Sequence, residues 1–217
     1  MGSGSMSAST GAKATNGAAG TTIFGLLAFG IVSMLFGLSQ LPGPHGTAFD
    51  VGIGFPALWV TGPVVAASMT TLGGLLLALV GLVMLFRSQD PFWAVSFTGY
   101  GAFWAIWSGV SSTTAAHLAG YGTAGFAFVW FLFTLTFLIN SFKRGWMTFL
   151  LYLVVAIGFI LLVIEFWQWG GATTVAPISG DELGAIGGFW IVAGILAWYA
   201  GTARLTELNW DKRLPFS

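Results

Sequence analysis

The chain has no cysteine, two histidines and very little charge of either sign. Each shortage excludes a class of chemistry. Without cysteine there is no disulfide, and no thiolate to hold zinc, copper or an iron–sulfur cluster. Seven basic residues balance seven acidic ones, so no cationic surface is expected to neutralise a phosphate backbone, and no nucleic-acid partner is expected. His45 and His117 both fall between apolar runs. The apolar interior therefore lacks imidazole for haem or metal, and it lacks a Ser–His pair for an intramembrane hydrolase. No cofactor, no metal and no enzymatic activity is expected.

What fills the chain is apolar: 56% of the 217 residues, against 6% charged. The apolar residues form six long runs. A spanning helix needs roughly 20 such residues, and continuous runs favour helices over the alternation of a barrel strand. The fold class expected is an all-α integral membrane protein with six transmembrane helices. Arg87 follows the second run, Lys143 and Arg144 the fourth, and Arg204, Lys212 and Arg213 the sixth. Basic residues mark cytoplasmic loops, so both termini are expected to be cytoplasmic, in a multi-pass protein of the inner or plasma membrane surrounded by lipid bilayer.

The expected spans run over residues 22–38, 63–86, 91–110, 121–142, 146–169 and 183–205. Pro56 and Pro63 interrupt the stretch before the second span, which predicts a re-entrant or interfacial segment around Trp59. Residues 1–21 read as an expression-tag remnant, Met1 to Ser5, and a disordered tail. Residues 22–207 form the transport domain, and residues 208–217 a short cytoplasmic tail. Ser39-Gln40-Leu41-Pro42 offers no small-x-small cleavage site, so the first run is expected to remain. Trp93, Trp146, Trp167, Trp169 and Trp210 lie near span ends, where interfacial anchors belong.

Few polar groups sit inside the runs. Gly180, Gly187, Gly194 and Gly201 recur every seven residues and make one stripe for close helix packing. Tyr100 stands between Gly99 and Gly101, either packed with a bonded hydroxyl or lining a pore. Thr134, Thr136 and Asn140 lie on the fourth span. Glu165 is the acidic residue set well within a run, and an intramembrane carboxylate is a functional candidate for a proton or polar site, with hydration at the interface as the competing reading. No span interior is expected to hold Lys, Arg or His. What remains is a passage for a small, weakly polar or protonatable solute, built from aromatics, hydroxyls and backbone.

Tyr100-Gly101-Ala102-Phe103-Trp104 resembles the Tyr-Gly-x-Phe-Trp signature of the acetate uptake transporter family, which includes bacterial succinate–acetate permeases. Gly25-Leu26-Leu27-Ala28-Phe29-Gly30 is similar to the end of that family's first-span motif. Phe133-Thr134-Leu135 with the Lys143 turn, and Gly187 through Gly201, are similar to its fourth and last spans. The resemblance covers about residues 22–207. It implies transport of monocarboxylates, chiefly acetate, with the dicarboxylate succinate as a further candidate, by a homo-hexamer with a pore in each protomer. It also implies an apolar constriction of Phe29, Tyr100 and Val155, with Gly25, Leu26, Phe103, Trp104, Thr134 and Asn140 as candidate lining. Departures stand beside it. Gly20-Thr21-Thr22-Ile23-Phe24-Gly25-Leu26 replaces the family's Asn-Pro-Ala-Pro-Leu-Gly-Leu, and Leu85 stands where a glutamate is usual. A channel for a neutral solute such as urea, or a non-transporting membrane scaffold subunit, are the alternatives.

Overall fold

The computed structural model describes residues 5–40, 56–87, 90–111, 120–170 and 180–215. Among these, the regular elements are six helices: α1 (Ser5–Gln40), α2 (Pro56–Arg87), α3 (Pro91–Ser111), α4 (Gly120–Ser141), α5 (Trp146–Gly170) and α6 (Gly180–Trp210). Among the described residues, α1, α2, α4, α5 and α6 each hold a stretch long and apolar enough to cross a membrane. At 1.5 Å per residue the 21 residues of α3 span about 30 Å, the thickness of a bilayer core.

Three boundaries differ from expectation. First, α1 begins at Ser5, where a disordered tail was expected. Residues 8–19 hold five alanines, and extending a helix that the membrane segment has nucleated costs far less than starting one. Second, α2 is continuous from Pro56, so the residues around Trp59 form its first turns rather than a separate re-entrant segment. Pro56 takes the first helical position, where its missing N–H is no loss, and Pro63 is carried within the helix at the cost of one bond. Third, α6 starts at Gly180 and ends at Trp210, taking in Asp181 and Glu182, expected in a loop, and running five residues past the expected end. Pro42, Pro44, His45, Asp50, His117 and Pro177, expected in outer loops, lie outside the described residues.

The tight turns follow local chemistry. Pro91 opens α3 directly after Asp90, whose carbonyl accepts the Ala94 N–H. Between α4 and α5 the Arg144 N–H bonds back to the Ser141 carbonyl, and Gly145 takes a positive φ of 105°. A side chain there would clash with its own carbonyl, so glycine is required.

The helices are arranged as a ring. α1 packs along α6 and α2, α2 along α3, α5 along α6 and α4, and α3 meets α4 more loosely. Two crossings are backbone on backbone. A Cβ on Gly194 would lie 2.6 Å from the Gly30 carbonyl oxygen, and one on Gly30 would lie 2.8 Å from that of Gly194. Gly74 and Gly101 stand in the same mutual relation across α2 and α3, at 2.8 and 2.6 Å. The seven-residue glycine stripe of α6 is therefore the seam against α1. Outside the ring, large apolar residues are exposed, among them Leu72, Leu76, Leu79, Phe128, Val129 and Ile139. In lipid such a surface is solvated.

Gly194→Val should cost about 1–3 kcal/mol, the usual range for forcing extra carbons into a packed contact. Gly125→Ala, where a Cβ meets nothing within 4 Å, should leave stability unchanged or slightly raised. Denaturant titration of the purified protein followed by circular dichroism measures both.

Candidate functional site

Tyr100 sits on the inward face of α3 with 1% of its surface exposed. The two glycines beside it serve packing. The Phe133 ring occupies the space over Gly99, and the α2 backbone at Gly74 and Ala78 approaches Gly101. The tyrosine ring meets Phe29 of α1 edge-on at 5.3 Å, and Phe133 of α4 at 5.5 Å. It is parallel to Phe159 of α5 at 6.4 Å. Its hydroxyl donates to Thr134 Oγ1 at 2.8 Å, and Thr134 donates onward to the Trp130 carbonyl at 2.8 Å. Tyr100 is thus packed between helices, and its hydroxyl bonds a threonine side chain rather than a backbone carbonyl.

Val155 is 1% exposed and lies three residues after Tyr152 and four before Phe159. That spacing puts all three on one face of α5. Tyr152 is 6.2 Å from Tyr100, and Phe159 is stacked against it, so Val155 lies at the same level. Phe29, Tyr100 and Val155 thus belong to one buried cluster contributed by three helices.

Leu26, Phe103, Trp104 and Thr134 join that cluster or are buried beside it. Gly25 contributes space rather than a wall: a Cβ there would lie 2.2 Å from the Phe97 ring. Asn140 is not brought in. It is exposed on α4 and donates to the Thr136 carbonyl at 2.7 Å, with Thr136 on the same outer face. Glu165 is buried, but it lies six residues beyond Phe159, about 9 Å along α5, and so outside the Tyr100 level.

A second aromatic layer lies one turn beyond Tyr100, away from the basic turns. Trp104 and Trp190 meet edge-on at 5.1 Å, flanked by Phe36, Phe103 and Phe159. Both indole Nε1 atoms and Ser33 Oγ are buried there without a hydrogen-bond partner among the described residues. An unsatisfied buried donor costs about 1–3 kcal/mol, so this layer has spare capacity for a polar guest.

The opposite end of the column is polar and was not anticipated. Ser96 and Tyr152 share a hydrogen bond between their hydroxyls. Trp93, expected as an interfacial anchor, is 3% exposed and lies 6.4 Å from Tyr152. Trp146, Trp167 and Trp210 are exposed near helix ends, as anchors should be. Over the Trp93 ring, 4.7 Å from its centroid, lies the Arg204 guanidinium. Arg204 was expected at the very end of the last span, as a basic marker of the cytoplasmic side. It sits inside α6, four residues after Ala200, on the face where Ala193, Ala197 and Ala200 are buried. Continuing that alanine stripe by one turn was the signal available in the sequence. Tyr152 and Phe159 were legible as the i−3 and i+4 neighbours of Val155.

No protein-family model and no curated protein matches the chain at a significant level. Among solved structures, the chain is similar to the bacterial acetate channel SatP, with a TM-score of 0.68 and 19% sequence identity over 91% of this chain and 98% of that one. The likeness shows a common fold across nearly the whole length.

A double-mutant cycle tests the central hydrogen bond. Tyr100→Phe and Thr134→Val should each destabilise, and their coupling should be about 0.5–1.5 kcal/mol. Strictly additive effects in denaturant titrations would show that the two hydroxyls do not interact.

Proposed function

We propose that the protein is a channel or proton-linked permease for acetate and related short-chain carboxylates. In this reading all six helices, α3 among them, cross the membrane, and the basic turns and both termini face the cytoplasm. The solute passes the level of Phe29, Tyr100 and Val155 within each protomer of a homo-hexamer. The observation that carries the reading is the Tyr100 hydroxyl, buried among aromatic and aliphatic side chains, in a fold shared with an acetate channel.

The chemistry favours the neutral acid at that level. Around Tyr100, among the described residues, there are hydroxyls and ring faces but no charged side chain in contact. Burying a carboxylate without a cation costs several kcal/mol, whereas a neutral carboxyl group needs only hydrogen bonds. Tyr100 and Thr134 supply hydroxyls for those bonds. The unpartnered Trp104 and Trp190 N–H groups offer the next donors along the column. Phe29 and Val155 set the width, and a two-carbon acid is the smallest carboxylate with an apolar end to match them.

In proteoliposomes, acetate flux should rise about tenfold for each pH unit lowered from 8 toward 6, because the neutral fraction rises by that factor well above a carboxyl pKa near 4. Flux independent of pH would count against the neutral form, and urea flux exceeding acetate flux would replace the substrate. Val155→Ala should raise the flux of four-carbon acids relative to acetate, as the lost methyl groups leave space beside Tyr100. An unchanged ratio of butyrate to acetate flux would remove Val155 from the constriction.

A further inference from the structure

The charges at the basic end are unevenly paired. Arg144 bonds Asp90 at 2.6 Å, and Arg213 bonds Glu207 at 2.8 Å. Arg204 makes no hydrogen bond or ion pair among the described residues, and its Nη1 atom is buried without a partner. The charged groups near it are Asp90, Arg144 and Glu207. The first two form one neutral pair, and Glu207 belongs to the other. Among these five groups Arg204 is the one cation without a paired carboxylate.

That cation is aligned with the aromatic path. Arg204 covers Trp93, Trp93 lies 6.4 Å from Tyr152, and Tyr152 lies 6.2 Å from Tyr100. Beside Tyr152 stands the Ser96 hydroxyl. A guanidinium offers five N–H donors in a planar fork, and Arg204 spends none of them on the described protein groups. The ring face of Trp93 holds the guanidinium in place without using those donors.

We infer that Arg204 forms a docking site for a small carboxylate anion at the cytoplasmic mouth of the column, with the Ser96–Tyr152 hydroxyl pair behind it. The proposal deepens the function given above and rests on it for the identity of the solute. The anion is held at the basic end of the column, and the Tyr100 level beyond it takes the neutral acid. Recognition is by charge and bidentate hydrogen bonding, so a neutral amide of the same shape is a poor ligand. The two faces of the protein then differ: saturable at the mouth that holds Arg204, and unsaturated at the other.

The full-length protein in detergent is titrated with sodium acetate at pH 7, with sodium chloride holding ionic strength constant, and methyl-proton saturation-transfer NMR reads binding. Acetate should bind the wild type at least about tenfold more tightly than acetamide, the scale of one charged hydrogen-bonded contact. Arg204→Gln should weaken acetate about tenfold, and Arg204→Lys should recover most of that loss. Equal binding of acetate and acetamide to the wild type, a comparison needing no variant, overturns the site. So does wild-type affinity in Arg204→Gln. Liposome flux separates the two readings. Acetate flux without Arg204-dependent binding sinks the docking site alone, whereas Arg204-dependent binding without flux sinks the conduit and leaves the anion site standing.

Discussion

Backbone contact between helices is the constraint on which the rest depends. Lipid chains are as apolar as leucine, so helices gain little by hiding greasy side chains from the bilayer. What holds them is close packing. At Gly30 with Gly194, and at Gly74 with Gly101, the missing Cβ atoms let carbonyls approach to distances that no side chain would permit. These two crossings fix α6 to α1 and α2 to α3. With those axes set, the wider space inside the ring must be filled, and large rings fill it: Tyr100, Phe103, Trp104, Phe159 and Trp190 are each buried almost completely. Thin contacts at the seam and thick residues at the axis are two parts of one packing solution.

That division explains why some of the molecule was readable from sequence and some was not. The apolar runs and the glycine spacing are properties of consecutive residues, so the helices and the α6 seam could be read directly. The Tyr100 motif marked the right helix face because its own flanking glycines belong to the same packing. Val155 carries no local mark, and its place came through a family resemblance. Asn140 went astray because helical spacing shows which residues share a face but not which way that face points. Thr136 and Asn140 do share one, and it is the outer one.

Arg204 shows a different limit. In a chain with 6% charged residues, an arginine near the end of an apolar run looks like a loop marker. Whether it is one depends on where the helix stops, and helix ends are poorly defined by hydropathy. Here α6 continues to Trp210, and an aromatic ring from a distant helix is available to receive the guanidinium. Neither fact is local to residues 200–208. The same holds for Trp93, whose position near a helix start suggested the membrane interface but whose ring lies beneath that arginine.

The polar groups along the axis are graded, and the grading has a physical reason. A full positive charge stands at the basic end, hydroxyls lie at the Tyr100 level, and indole N–H groups lie beyond. Coulomb attraction strengthens steeply as a charge leaves water, from about 1 kcal/mol at contact in high dielectric to about 4 kcal/mol in a surface-like environment. An arginine moved two turns deeper, to the level of Ala197, would face its anion in a far less hydrated setting and hold it too tightly to release. At the docking site proposed for Arg204, nearer the helix end, a weaker hold would let an anion both arrive and leave. Passage needs binding strong enough to admit a solute and weak enough to let it go. For the passage proposed above, charge at the mouth and neutral hydrogen-bonding groups in the middle would meet both demands, and the reverse order would meet neither.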